Sequence, residues 1–569
     1  MKISLDRHQS PGMSGRPSLA DTRKVVSLTN SAAGLEALAV AIHGLGRELQ
    51  HAQEQRDKLL ARKFNRSSEK LGDAQLRLFE AKVSEKEVSE PVDPVHRAAA
   101  TVGAVITTDL TVAIKVVEEM ERAKRKAARA ARKRRLKENP GSSTTDRLPA
   151  GYETREHRVE VPEANKVCTC GHPRCVIRDD RTTHIERKVV YTLVTTVRTV
   201  YGCSNGGCGV YTPPPPDEPV DKGQFGFSVV AGVLLMRYLW NVPVKRISAM
   251  YATDGLLISD DAIRDAAAVT FERLAPVLEA LRQVALTGHL VNLDDTPVTI
   301  LDATLPARSR KGRIWVAVGD GVNAYYFYTT NWKQDSALPA LNGLTANVQG
   351  DGYAGFPNLA AAFKVLLAGC WAHVRRKLLA AQKQKDDRAD RPLVYIGHLY
   401  AVEKLARLRN VNHEELSEMR EKYSKVLITA IEAWATTIAP EIEPGSPLGE
   451  AWTYLRNQWP YLTIFLTRPH IGLDNNAAER ALRMITIGRK QWLFFQNDET
   501  PTWAAGFASI FETAKLHGVD VPRYFEWLLR EIARREWSVP AARELLPDRW
   551  AAREKERAEQ GGCGELVGG

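Results

Sequence analysis

The chain has 569 residues, 44% hydrophobic and 26% charged, an ordinary globular composition that excludes a disordered tail protein or a fibre. Seven cysteines in this length exclude a disulfide-built secreted scaffold, and at about 150 residues per domain the length allows roughly four units. The net charge of +11 is concentrated: between residues 121 and 137, ten Lys/Arg stand against one acid, a local +9 that leaves +2 for everything else.

The first residues (MKISLDRHQSPG) carry no apolar run of the kind a signal peptide needs. The most apolar segment, 225–240, contains Arg237 and two glycines and is too short to span a bilayer. The expectation is a cytoplasmic, nucleoid-associated protein with no membrane partner.

Residues 1–30 are expected to be disordered. Over 31–90 a helical segment is predicted, with apolar heptad positions at Leu35, Leu38, Ile42, Leu45, Leu49, Ala52 and Leu59, interrupted by Arg56, Gly44 and Gly46. Such a seam either pairs two protomers or closes an internal hairpin. Residues 91–147 read as a linker, lacking core-forming periodicity except at 102–117. The basic run within it, including Lys124, Arg125, Lys126, Arg132, Lys133, Arg134 and Arg135, is a local polyelectrolyte of the kind that binds DNA phosphates by counterion release.

A strand-rich module is expected over 148–212, alternating apolar and polar residues at 159–161 and 189–201 and ending in Pro213–Pro216. Five cysteines fall here: Cys168, Cys170, Cys175, Cys203 and Cys208. Two thiolate-bearing turns about 30 residues apart are what a structural Zn²⁺ site needs, because the metal replaces a core too small to stand alone. Cys168, Cys170, Cys203 and Cys208 are the expected ligands, in irregular Cys-x-Cys and Cys-x4-Cys spacings, with His172 and Cys175 as spares.

Residues 213–288 read as a helical domain with a turn at Gly255 and an N-cap at Ser259. The outline is that of a helix-turn-helix, but Asp260 and Asp261 at the second helix's start would repel DNA, which favours a structural role. From 289 the pattern turns to strands (HLVNLDDTPVTIL, RIWVAVGD, AYYFYTT, ANVQGD), then mostly to helices over 378–470, a helix over 474–490 and a helical tail over 501–569. The fold class is multidomain α+β.

Asp294 and Asp351 are expected at strand ends and Glu479 on a later helix, with Asp474 as that helix's N-cap. Taken alone, Glu479 and Arg483 read as a surface pair four residues apart. Carboxylates from two strands joined by a third are the hard oxygen ligands that two Mg²⁺ ions need for an in-line phosphoryl displacement. The spacing alone does not decide it, and alternation cannot choose between Asp294 and Asp295, which point to opposite faces.

The runs LDDTPV, QGDGYAGF, CWAHVRRK, LDNNAAERALR, IGRKQWLFF and ETAKLHGVD occur in one order, with FNRSSEKL and LRLFE upstream and LLPDRW near the end. Together they resemble bacterial transposases of the insertion-sequence-66 family over nearly the whole chain. The resemblance implies a DDE transposase with a ribonuclease-H-like α/β core over 289–500, a helical insertion at about 378–470, and Asp294, Asp351 and Glu479 as catalytic, Mg²⁺-holding acids. The chain departs from the family at Asp295, where glutamate is usual, and in its cysteine knuckles, one a residue short and the other two residues long. The resemblance also implies element ends and target DNA as partners, a homo-oligomer on DNA, and small accessory proteins of the same element. Arg375, Arg376 and Lys377, with Arg489 and Lys490, are expected to face DNA phosphates. Cys370 reads as a small buried residue, His373 as a core histidine or a helper near the metals, and Trp492 as a packing residue. A nuclease without joining activity and a non-catalytic end-binding protein are the alternatives.

Overall fold

The computed structural model describes residues 93–138, 156, 158–159, 162, 165–175, 189–202 and 209–559; the heptad segment, Cys203, Cys208 and the side chains of 132–138 lie outside them. Residues 94–138 were expected within a linker and instead form one 45-residue helix, α1 (Pro94–Glu138). The reason is compositional: Ala, Arg, Lys and Glu dominate, all strong helix formers, and Pro94 stands at the start where its missing N–H costs nothing. Its buried positions, His96, Ala99, Ile106 and Leu110, recur at helical spacing, whereas residues 118–131 are exposed.

The alternation at 189–201 yields a strand only at its end, β1 (Tyr201–Gly202), paired antiparallel with β2 (Val210–Tyr211). Val190, Leu193, Val194 and Val197 are exposed, so among the described residues the alternation has no face to bury.

Three helices follow: α2 (Phe227–Leu234), which runs on as a π turn to Leu239, α3 (Val244–Thr253) and α4 (Asp260–Leu286). The Ser259 side chain caps α4 by accepting from the Ala262 N–H, and the Asp260 carboxylate accepts from Ser248 Oγ at 2.8 Å. Asp260 therefore joins α3 to α4, whereas Asp261 pairs with Arg264 within α4 at 2.8 Å.

The central sheet contains β3 (Leu290–Leu301), β4 (Ser309–Gly319), β5 (Asn323–Thr329), β6 (Asn347–Gln349) and β7 (Leu367–Ala368), in the order β5-β4-β3-β6-β7. The first three are antiparallel neighbours, while β6 and β7 run parallel to β3. Short antiparallel turns permit the first arrangement; the second requires crossovers, one of them α5 (Phe356–Phe363) between β6 and β7.

Five helices follow β7 in the region where an insertion was expected at about 378–470: α6 (Trp371–Lys383), α7 (Asp390–Arg409), α8 (His413–Met419), α9 (Lys425–Ile438) and α10 (Pro447–Leu462). Helix α1 packs on α7 and α9. At that crossing a Cβ on Gly103 would lie 2.2 Å from the His398 ring, so only glycine allows the approach, and Asp109 pairs with Arg409 at 3.2 Å. By length and composition alone, the 94–131 stretch of α1 is also apolar enough to cross a membrane; its buried positions are those of a helix docked on protein. Arg420, 1% exposed, pairs with Glu403 at 2.8 Å and donates to the carbonyls of Arg468 and Ile471 at 3.1 and 3.0 Å, pinning the insertion to the chain that returns from it.

The chain ends in α11 (Asn476–Trp492), α12 (Glu499–Leu516), α13 (Val521–Arg534) and α14 (Pro547–Glu559). One sheet face packs Val298, Ile300, Val316 and Tyr326 against α11 and α12 through Ala478, Leu482, Ile485 and Ala505. The opposite face packs Val291, Leu293, Trp315 and Val348 against Phe356 and Leu359 of α5. The helical domain and the C-terminal segment, expected as separate units, share one core: Leu234, Ile263 and Leu274 cluster with Phe507, Phe525 and Leu528, and Tyr238 stacks on Phe507 at 4.4 Å.

Candidate active site

Asp294 lies mid-strand in β3, not at its end as expected, because β4 continues pairing with β3 as far as Leu301. The parallel register pairs Asn292 with Gln349. Two residues further along each chain stand Asp294 and Asp351, so the register sets the two acids beside each other, Asp294 within β3 and Asp351 just past the end of β6. A buried amide chain fixes this register: Asn292 Nδ2 donates to Gln349 Oε1 at 3.1 Å, and Gln349 Nε2 donates to the Gly369 and Gly472 carbonyls at 3.1 and 2.8 Å. Just past β6, Asp351 accepts from the Tyr353 N–H at 3.0 Å. A Cβ on Gly352 would lie 2.5 Å from the Tyr454 ring, so the loop carrying Asp351 is pressed onto α10.

Glu479 comes from α11, which starts at Asn476, two residues later than expected, and this places Glu479 in the first turn. Asp474 is not the N-cap; it accepts from the Asn476 N–H at 3.1 Å within the approach to the helix. Asn475 holds the N-cap position and makes no side-chain cap. Its buried amide instead donates to the Leu293 carbonyl at 2.9 Å, and its N–H donates to Cys370 Sγ at 3.3 Å. Glu479 faces Arg376 (3.3 Å) and His373 Nε2 (3.7 Å) on α6.

Asp294 and Asp295 part company as alternation requires. Asp294 shares the face of Val298 and Ile300, toward α11. Burial pushes its carboxyl up to about 7, and the carboxylates of Asp351, Asp295 and Glu479 add to this against an opposing hydrogen bond from the Asp295 N–H. Asp295 points to the other face, where it pairs with Arg313 at 2.7 Å and accepts from Trp332 Nε1 at 3.1 Å. Trp332 lies under the Arg313 guanidinium at 4.2 Å and stacks on Tyr353 at 4.8 Å. Asp295 is thus committed to a structural cluster and Asp294 is left for the site.

Burial and then the charges of Asp351, Asp295 and Glu479 raise Asp294, a strain that a cation would relieve, and carboxylate oxygens are the hard donors Mg²⁺ takes. The donor chemistry of the acidic trio suits a divalent ion, while among the described residues its oxygens do not all come within 4.8 Å of one another. Among the described residues, ligand atoms within 4.8 Å of one another are offered by Cys370, His373 and Glu479. Burial pushes the Cys370 thiol up to about 12, and its sulfur already accepts the Asn475 N–H. That set reads as packing between the starts of α6 and α11, with Cys370 the small buried residue expected.

The expected DNA-facing cations divide. Lys124, Arg125, Lys126 and Lys490 are exposed. Arg375 is 7% exposed, which takes it off the surface, because it shares the buried face of α6 with Trp371 and Leu378. Arg376 is engaged by Glu479, and Lys377 lies over the Tyr454 ring at 5.3 Å. Arg489 donates to Thr296 Oγ1 at 2.6 Å and the Pro297 carbonyl at 2.9 Å, tying α11 to β3. Trp492 packs on Phe495 at 4.4 Å. Of the cysteine module, residues 165–175 form a tight turn: Gly171 N–H donates to the Cys168 carbonyl and Cys168 N–H to the His172 carbonyl, both at 2.8 Å.

Comparison with known sequences adds the decisive observation: the sequence model of the transposase IS66 family matches residues 222–502, from the helical domain through the third acid to α12. The chain belongs to the IS66 transposase family. The matched span contains the sheet, all three acids and the insertion. Membership points to transposition as the function class, DNA as the partner and a divalent metal as the general requirement. Curated relatives from Sinorhizobium fredii (strain NBRC 101917 / NGR234) extend the likeness: y4hP, described as an uncharacterized protein, is 26% identical over 70% of this chain and 75% of its own length. Another uncharacterized protein, y4qI, is 26% identical over 70% of this chain and 76% of its own, and y4jD is 24% identical over 63% and 72%.

Proposed function

We propose that the chain is a DDE transposase that cleaves DNA at the ends of its element and joins the freed 3′ ends to target DNA. The observation that supports this is the parallel register that sets Asp294 and Asp351 beside each other, with the charge of Glu479 reaching Asp294, within the part of the chain that matches the transposase family. The sheet order, three antiparallel strands followed by two parallel ones with the third acid on a later helix, supports a ribonuclease-H-like core.

In this reading Asp294, Asp351 and Glu479 hold two Mg²⁺ ions. When bound, the ions supply Lewis-acid activation of the attacking oxygen and charge stabilisation at the leaving oxygen. The chain itself supplies position. Asn292 and Gln349 set the spacing of the two strand acids, Asn475 locks the helix acid to β3, and the exposed cations of α1 hold DNA through its phosphates. Water attacks a phosphodiester at the element end, and the released 3′-hydroxyl then attacks a target phosphodiester, each step expelling a DNA oxygen.

The cysteine module is proposed as a structural Zn²⁺ site of Cys168, Cys170, Cys203 and Cys208. The turn at 168–172 supports it, since hydrogen bonds from Cys170 and Thr169 draw the Cys168 thiol below its ordinary value, toward the thiolate a metal takes. The heptad segment at 31–90 is proposed to pair protomers.

The test is an assay that scores cleaved and joined products separately, with purified protein, Mg²⁺ and DNA bearing the element's ends. Asp351→Asn is expected to abolish both products while retaining DNA binding. Cleavage without joining favours a nuclease, and normal joining by the variant sinks the assignment.

A further inference from the structure

Helix α6 presents His373, Arg376 and Lys377 on one face, at positions i, i+3 and i+4. Arg376 places one guanidinium nitrogen 3.3 and 3.4 Å from the two oxygens of Glu479, His373 Nε2 is 3.7 Å from Oε1, and Lys377 lies over Tyr454, the ring against which the Asp351 loop is pressed. Arg376 is therefore seated on the carboxylate that the proposed function gives to metal. A divalent ion competes with the guanidinium for the two oxygens that it now spans, and the ion carries the higher charge.

The helix limits where the displaced group goes. Its buried face anchors α6 through Trp371, 1% exposed, and Arg375, 7% exposed, so the backbone of residue 376 stays beside the acids. A planar guanidinium released there meets the next strong anion to arrive, and it suits a phosphate by forked hydrogen bonding better than an ammonium does.

We propose that Arg376, assisted by His373, is a phosphodiester-binding site at the active centre that Glu479 occupies until metal binds. Metal binding to Glu479 releases Arg376, and the freed guanidinium takes a non-bridging oxygen of the DNA backbone. The pair thus couples metal loading to DNA capture and keeps the third acid neutralised beforehand. This rests on the reading of Asp294, Asp351 and Glu479 as metal ligands, and the test separates the two.

Mn²⁺ binding to the full-length, metal-free protein is followed by electron paramagnetic resonance. Arg376→Ala, freed of the competing cation, is expected to bind Mn²⁺ about two- to fivefold more tightly than wild type, the range an exposed ion pair supports. Arg376→Lys, which keeps the charge, is expected to stay near wild type and controls for folding. Binding of a labelled mixed-sequence duplex in Ca²⁺ is measured alongside. Arg376→Ala is expected to lower the slope of log affinity against log salt by about 0.9, one phosphate contact. Unchanged or weaker Mn²⁺ binding by Arg376→Ala, or an unchanged salt slope, overturns the exchange. Glu479→Gln separates the failures: if it lowers Mn²⁺ binding while Arg376→Ala changes nothing, only this proposal falls. If Glu479→Gln leaves Mn²⁺ binding intact, the metal-ligand reading falls with it.

Discussion

The side-chain amide of Asn475 donates to the carbonyl of Leu293 at 2.9 Å, joining the residue before helix α11 to the residue before Asp294. Through this bond and the one from its own N–H to Cys370, a fully buried side chain sets the third acid against the first. Asn475→Ala leaves the Leu293 carbonyl unpaired in a buried place, at a cost of about 1–3 kcal/mol. The variant is expected to melt lower and to bind Mn²⁺ several-fold more weakly, read by circular dichroism and electron paramagnetic resonance. Asn475→Asp, of the same shape without the donor, is expected to do the same.

Gln349 gives the second structural prediction. Its amide bridges β3, the residue after β7 and the chain before α11 through three partners. Gln349→Leu matches the volume and strands the Gly369 and Gly472 carbonyls, so a loss of about 2–3 kcal/mol is expected in denaturant unfolding.

Titration of the metal-free site has a definite sign. The Asp294 carboxyl lies near 7 in the folded chain, above the ordinary carboxylate range, because of burial and then its acidic neighbours. The folded state therefore keeps a proton there that the unfolded chain has lost, and ionisation costs stability as pH rises from about 4 to about 7, with the full cost above that. Asp294→Asn removes a penalty on the order of 2–4 kcal/mol. It is expected to melt higher than wild type at pH 8 without metal, with the difference vanishing near pH 4. Protons compete with metal, so Mn²⁺ affinity of the wild type is expected to rise through pH 7 and then level off. A variant that melts lower at pH 8 contradicts this electrostatic picture.

The adjacent acids are expected to behave differently. Asp295→Asn breaks the pair with Arg313 and loosens the Trp332–Tyr353 stack, at a cost of about 1–3 kcal/mol. It should leave Mn²⁺ stoichiometry intact, whereas Asp294→Asn should lower it. Equal losses from both would mean that alternation along β3 does not sort their roles.

These contrasts show how much could be read in advance. The strands were legible because LVNLDD and YYFYT carry β-branched and aromatic residues in sheet patterning, and the acids because the motifs around them stand in one order. Asp294 against Asp295 was not, since the period of two says only that they diverge; which face meets α11 depends on packing across 180 residues. Asn292 and Gln349 carry a signal of their own: amides inside apolar strands, each two residues before an acid, must be paired when buried. Helix α1 was masked by its charge, because the basic run reads as a linker until its apolar face finds α7 and α9. Arg375 and Arg376 are adjacent and identical in kind, yet the turn of α6 buries one and points the other at Glu479.

The exposed basic stretch of α1 gives a test outside the acidic site. Replacing Lys124, Arg125 and Lys126 by alanine keeps helix propensity and removes three charges. The slope of log DNA affinity against log salt is expected to fall by about 2.7, and by nothing if α1 does not touch DNA.

The claim that Asp294, Asp351 and Glu479 form one metal centre is tested most directly by letting a metal mark its own ligands. Fe²⁺ bound in place of Mg²⁺, with ascorbate and peroxide, cuts the polypeptide beside the residues that hold it. The account expects fragments ending near residues 294, 351 and 479 together, all suppressed by excess Mg²⁺ and all lost in Glu479→Gln. Cutting confined to the neighbourhood of Cys370 and His373, or cutting at the acids that Mg²⁺ does not suppress, would contradict it.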